Sequence, residues 1–357
     1  PQGAHAARRA PGGRRFVTVA TTLRINMTGA PASPETQGER YRAAIEMAAF
    51  ADRHGFSIVN VEEHHCAAIG WLPSPLVMAG LIAGRTARVR IRVSALLITL
   101  YDPIRLAEDI AILDLASNGR VSIVAGQGYR PIEYHALDRD WASRGMTSDF
   151  ILQTLLQAWQ GEPFEYRGRT VTISPVPQTR PMPPFAYGGM SAAAARRAAR
   201  FGLDFHPPAH MPELVAIYED ELKRLGKSGH AEWPREGTSL VFLDEDPEAA
   251  WQEIGPYLLA EAAEYGGWAR EGVQRPFASA DLTLDKLRAE GRYEILTPAQ
   301  CLRRIGAAQG EYTVILHPMA GGIPLPRAWN CLRLYADKVL QPLGIGVRDS
   351  AGLPQHA

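Results

Sequence analysis

The six residues VEEHHC at 61–66 set two carboxylates, two imidazoles and a thiol side by side. Such a group can hold a metal, serve as a general base with its supports, or simply end a strand in water. A metal fits the spacing poorly. Neighbouring side chains on a strand point to opposite faces, so His64 and His65 would not share one ion. Glu62 and His64 would share a face, but the only further ligand candidates are the His-Pro pairs at 206–207 and 317–318. No metal site is assigned.

Two other stretches carry chemistry. AGQGYRP at 125–131 presents Gln127, Gly128 and Tyr129 after an apolar run. It lacks the third glycine of a dinucleotide fingerprint and the helix directly behind it. It reads either as a strand-ending turn or as a ligand loop. FAYGGMSAAAARRAAR at 185–200 takes a short strand into Gly188 and Gly189, and Ser191 then opens an Ala-rich helix. Glycine allows close backbone approach, and a helix N-terminus offers free N–H groups to an anion. The choice lies between a plain N-cap and a phosphate site, and the glycine–serine–helix chemistry favours phosphate. Arg144, in WASRG, would be the cationic partner, because a guanidinium meets phosphate as a fork.

These stretches need elements to position them. Strand-length apolar runs at 15–22, 56–61, 89–98 and 120–126 alternate with helical patterns at 38–55, 73–86 and 102–117. This is the spacing of parallel β/α units. Pro103 sits just inside its helix, and Asn118-Gly119 follows the end. Later helices are expected at 146–160, 190–201, 211–225, 247–264, 298–309 and 327–340, with strands near 184–187, 203–206, 238–243 and 312–317. A total near eight strands favours an α/β fold of the (β/α)8 TIM barrel type over a doubly wound sheet. VEEHHC then falls at the C-terminal end of the second strand, the face where barrels build their sites. A small hairpin is expected around 166–173, and an insertion at about 265–297 before the last β/α unit. One domain is expected over 16–345, with a disordered leader at 1–15 and a flexible tail at 346–357.

Composition narrows the partners. The 38 basic and 38 acidic residues cancel, which removes any electrostatic argument for nucleic acid or an anionic membrane. Three widely spaced cysteines fit free thiols in a cytoplasmic protein. Cys66 is expected to be a small buried hydrophobe rather than a reactive thiol.

Taken in order, EEHH, SALLITLYDPIRLAEDIAILDLASNGRVSIVAGQGY, WASRG, PPFAYGGMSAAAARRAARFG and YEILTPAQCLRRIGAAQGEYTVIL resemble the bacterial luciferase-like flavin-dependent monooxygenase family. The likeness covers most of 16–343, and DPIRLAEDIAILDLASNGR is its most specific part. It implies a barrel that binds reduced flavin mononucleotide (FMN) supplied by a separate reductase. Reduced flavin and O2 would give a C4a-(hydro)peroxyflavin that oxygenates a small organic substrate. By the same resemblance His64 matches the catalytic base or proton manager, with Glu63 and His65 beside it. Ser94-Ala95 matches a flavin-contacting pair, joined in several members by a non-proline cis peptide. Gln127, Gly128 and Tyr129 match the flavin-side loop. Arg144 and Ser191 match phosphate ligands, with Gly188, Gly189 and Met190 beside them. Gln127 stands where luciferase has arginine and Met190 where it has glutamate, which argues against light emission. A homodimer is implied too, and the small-residue helix MAGLIAGRTA at 78–87 would permit close packing.

A peroxyflavin needs a dry cavity, for which Trp71, Tyr101, Tyr129, Trp141 and Trp268 are candidate lining. The alternatives are a deazaflavin-dependent oxidoreductase on the same scaffold, a metal-dependent barrel hydrolase sensitive to chelator, and a flavin-binding protein without turnover.

Overall fold

The computed structural model describes residues 17–268 and 282–345. The strands are β1 (Thr18–Ile25), β2 (Ile58–Val61), β3 (Arg90–Leu97), β4 (Val121–Gly126), β5 (Phe164–Tyr166), β6 (Arg169–Val171), β7 (Phe185–Gly188), β8 (Asp204–His206), β9 (Leu240–Leu243), β10 (Tyr293–Leu296) and β11 (Glu311–Leu316). The helices are α1 (Gln37–Arg53), α2 (Pro75–Arg85), α3 (Pro103–Ser117), α4 (Pro131–Ala136), α5 (Arg144–Ala158), α6 (Ala192–Phe201), α7 (Pro212–Leu225), α8 (Pro247–Trp268), α9 (Leu284–Glu290), α10 (Pro298–Ala307) and α11 (Leu325–Tyr335).

Local chemistry accounts for many element ends. Thr36 and Glu39 close a capping box on α1, and Thr297 and Gln300 close one on α10. Asp102 accepts the Ile104 and Arg105 N–H groups ahead of Pro103, while Asn118 ends α3 at φ 56°. That left-handed turn is why an Asn-Gly pair follows the helix.

Among the described residues nine strands form one parallel sheet in the order β10-β9-β11-β1-β2-β3-β4-β7-β8. The sheet curls as a barrel does. Arg92 on β3 reaches His206 on β8 at 3.1 Å, although two strands lie between them in the ladder. Val59, Val61, Ile91, Val93, Val121 and Ile123 are buried in the core. Because every strand runs the same way, the residues after β1, β2, β3, β4, β7 and β11 gather at one mouth.

Several expectations need correction. The expected insertion contributes a ninth strand: β10 pairs with β9, and α8 runs on to Trp268 at its other end. The hairpin sits two residues earlier than expected, with Arg167 and Gly168 at its left-handed turn. A short helix, α4, does follow the G-x-G-Y loop directly. Six residues are too few to show a helical period. The leader at 1–15, the tail at 346–357 and part of the insertion, 269–281, lie outside the described residues.

Candidate active site

β2 ends at Val61, so Glu62, Glu63, His64 and His65 lie past the strand. Strand alternation therefore does not separate the two histidines. Each imidazole instead has its own carboxylate.

Glu63 is buried and takes three donors. Its Oε2 accepts the Leu97 N–H at 2.6 Å, and its Oε1 accepts the Tyr101 hydroxyl at 2.7 Å. The same Oε1 lies 3.1 Å from His65 Nε2. That hydrogen bond, opposed by burial, raises the His65 pKa. Burial first, and then the Glu63 charge, pushes the Tyr101 phenol far up, so it remains a donor.

His64 is buried, with Nδ1 2.8 Å from Glu133 Oε1 on α4. The same oxygen accepts the His65 N–H at 3.0 Å and Arg130 Nη1 at 3.3 Å. Burial pushes the Glu133 carboxyl up, but the His64 hydrogen bond and the neighbouring donors outweigh it and hold the pKa below the usual value. Arg130 also donates to the carbonyls of His65 and Cys66 and lies 3.8 Å over the Trp268 ring. On the other side of His64, Nε2 is 3.4 Å from the Tyr129 hydroxyl. Trp71, Tyr129 and Trp268 ring His64 at centroid distances of 5.2, 5.4 and 4.7 Å, and Tyr265 follows at 6.3 Å. A cleft of about 300 Å³ opens beside this wall, bounded by both imidazoles, Cys66, Trp71, Pro73 and Leu137. Cys66 is exposed, at φ 53°, rather than a buried hydrophobe. Trp141 stands apart, edge-on to Tyr134 and under the Arg144 guanidinium.

Glu62 is no partner of His64. It pairs with Arg24 through both carboxylate oxygens and accepts the Tyr265 hydroxyl at 3.3 Å. Behind it, buried Glu261 takes His317 at 3.0 Å, Tyr293 at 3.1 Å and the Thr28 hydroxyl. His206 Nε2 faces Arg92, and burial lowers its pKa. Both His-Pro histidines are thus engaged. Among the described residues no three His, Cys, Asp or Glu side chains group in a way that could hold a metal ion.

The loops expected to contact flavin also meet. The Ser94-Ala95 peptide is cis and coincides with the register shift between β3 and β4. A Cβ on Gly126 would lie 3.1 Å from that of Ala95, so the two strand ends touch there. The Gln127 carbonyl is held by Thr99 and Tyr134, and Gly128 turns at φ 75°. Gln127 Nε2 donates to the Arg144 carbonyl at 3.3 Å, bringing the loop to the start of α5.

At α6, Ser191 Oγ accepts the Ala194 N–H at 3.2 Å, which is the N-cap geometry. A Cβ on Gly189 would lie 2.6 Å from Ala194 Cβ, so the turn stays bare beside the helix end. This turn and the first-turn N–H groups suit a phosphate. The Arg144 guanidinium donates to Trp141 O at 2.8 Å, and no described bond joins it to Ser191. Arg197, which sequence reasoning missed, links the two helices. It is paired with Asp149 at 2.5 Å and donates to Gly145 O at 3.3 Å. Glu133, Arg130, Tyr265 and Arg24 were missed as well, since no local motif marks them.

A family model described as luciferase-like monooxygenase matches residues 21–310. The chain is 29% identical over 157 residues to the oxygenase component of the flavin-dependent trigonelline monooxygenase of Acinetobacter baylyi, covering 42% of this chain and 43% of that protein. The chain spans about half the length of the curated relatives it matches. In fold it is similar to the oxygenating constituent of 3,6-diketocamphane monooxygenase from Pseudomonas putida, a type II Baeyer–Villiger monooxygenase solved in complex with FMN. That likeness has a TM-score of 0.67 at 16% identity and covers 90% of this chain and 98% of the other. It is also similar to an F420-dependent secondary alcohol dehydrogenase solved with an F420-acetone adduct, with a TM-score of 0.64 at 15% identity, covering 93% and 99%. With the match spanning most of the chain, the protein belongs to the luciferase-like monooxygenase family.

Proposed function

We propose that this protein is the oxygenase component of a two-component flavin monooxygenase. It would receive reduced FMN from a separate reductase and use O2 to oxygenate a small organic substrate. The observation that carries the reading is the wall around His64: a buried imidazole between a carboxylate and a phenol, enclosed by Trp71, Tyr129, Tyr265 and Trp268. Bound reduced flavin supplies the activation of O2.

The chain's own residues supply the rest. Ser94, Ala95, Gln127, Gly128 and Tyr129 would line the ring system. Arg144 and the turn of Gly188, Gly189, Met190 and Ser191 would hold the phosphate. His64 would hold or pass a proton at Nε2, with Glu63 fixing His65 beside it. The aromatic wall excludes water, which protects reactive oxygen chemistry from loss.

The test is rapid mixing of the protein and reduced FMN with O2. A long-lived absorption band, distinct from both reduced and oxidised flavin, supports the reading. Reoxidation at the rate of free flavin, with no band, overturns it. The fold shared with a deazaflavin-using enzyme favours a second reading. Oxygen-independent hydride transfer from a reduced deazaflavin would select that one.

A homodimer built on α2 and α3 belongs to the same proposal. Val77 is 65% exposed and Leu81 51% on α2, and Ile112 is 50% exposed on α3. The two helices meet where a Cβ on Gly80 would lie 3.6 Å from Leu113, so these residues make an apolar face fit for a partner. The three cysteines are free thiols, which suits the cytoplasm. Among the described residues no helix is long and apolar enough to cross a membrane.

A further inference from the structure

We propose that Glu133 is the positioning residue that sets the tautomer of His64. The proposal rests on the reading that His64 manages a proton, but its physical content stands without flavin.

Three donors converge on Glu133 Oε1: His64 Nδ1 at 2.8 Å, the His65 N–H at 3.0 Å and Arg130 Nη1 at 3.3 Å. Three donors on one oxygen fit a carboxylate, which only accepts. His64 must then carry its proton on Nδ1 in the neutral state, leaving Nε2 bare toward the Tyr129 hydroxyl. The other oxygen, Oε2, is buried and has no hydrogen-bond partner. It faces the flavin-side loop, since a Cβ on Gly128 would come within 3.7 Å of it. Oε1 is therefore the atom of the carboxylate that meets the imidazole, shared with His65 N–H and Arg130. Arg130 keeps it in place from the other side by holding the carbonyls of His65 and Cys66 and lying over Trp268. α4 is thus a brace that delivers one carboxylate beneath the loop at 63–66.

The consequence is a proton site whose two nitrogens have different tasks. Nδ1 stays bonded to Glu133 in both protonation states, and Nε2 alone exchanges a proton with the cavity. The ionisable groups facing His64 are Glu133 and Arg130 from α4 and its start, Tyr129 from the β4 loop and Tyr265 from α8. Glu63 and His65 stand beside it on its own loop. Tyr129 and Tyr265 remain neutral, because burial raises both phenols. Among the described residues, Glu133 is thus the anion hydrogen-bonded to the ring.

The test uses the cofactor-free full chain with 15N-labelled histidine. In the wild type, NMR should show His64 as the Nδ1–H tautomer. Glu133→Ala should move the neutral His64 ring toward the Nε2–H tautomer, because the acceptor facing Nδ1 is gone. Glu133→Gln, which keeps an acceptor oxygen, should restore the Nδ1–H form. An unchanged tautomer in a folded Glu133→Ala protein overturns the proposal. So does an Nε2–H tautomer in the wild type, an observation that needs no variant and remains decisive if the substitution unfolds the chain. Failure of the monooxygenase reading would leave the tautomer result standing, so the two failures are distinguishable.

Discussion

Glu63 accepts the Leu97 backbone N–H at 2.6 Å, which ties the end of β2 to the end of β3 through a side chain. The same carboxylate holds Tyr101 and His65. One buried acid therefore sets the position of the loop after β2 relative to the strand that carries the Ser94-Ala95 peptide.

The His65–Glu63 contact makes stability depend on pH. The His65 pKa is raised in the folded chain, chiefly by the hydrogen bond that its ring donates to Glu63. Its stabilisation is thus complete below the unfolded pKa of roughly 6.5 and is lost as pH rises through the folded value. His65→Gln, which keeps a neutral donor, should therefore cost more stability at pH 5.5 than at pH 9. Urea melts at the two pH values measure this, and an equal cost at both would refute it.

His64→Ala should lower product formation by about 10²–10⁴-fold, the range for a lost acid–base group. Flavin oxidation should continue, diverted to hydrogen peroxide. Circular dichroism should show an intact fold, since the aromatic wall closes largely on itself through the Trp71–Tyr265 and Trp71–Trp268 contacts. Wild-type product yield per flavin oxidised would sink the assignment.

Arg144→Ala should weaken reduced-FMN binding about tenfold or more, the loss of one charge-assisted contact. Its bonds within the protein are local, to Trp141. The melting temperature without flavin should therefore move by no more than about 2 °C. Anaerobic titration reads the affinity, and an unchanged Kd would exclude Arg144 from the phosphate site.

Leu81→Glu places a charge on the exposed apolar face of α2. Light scattering should give twice the chain mass for the wild type and the single mass for the variant, with the fold retained. A monomeric wild type, or a variant that remains dimeric, would remove this face as the interface.

Much of the scaffold was legible in the chain itself. Ser191 at the start of its helix, Pro103 just inside another and the Asn118-Gly119 turn act through neighbours a few residues away. Strand and helix periods are likewise set by near-neighbour sterics, so the β/α alternation, the barrel-type fold and the place of VEEHHC at a strand's C-terminal end could be read directly.

The pairing of acids with bases could not. Glu133 lies 69 residues from His64, and Tyr265 lies 203 residues from Glu62. Such distances in sequence carry no period. They close only when the parallel strands curl and bring their C-terminal loops to one mouth, where α4 and α8 fold across them. The local order of residues thus determined the elements and which end of the sheet bears the chemistry. The tertiary structure alone decided that His64 rests on Glu133, that Glu62 turns away to Arg24, and that a strand from the expected insertion joins the sheet.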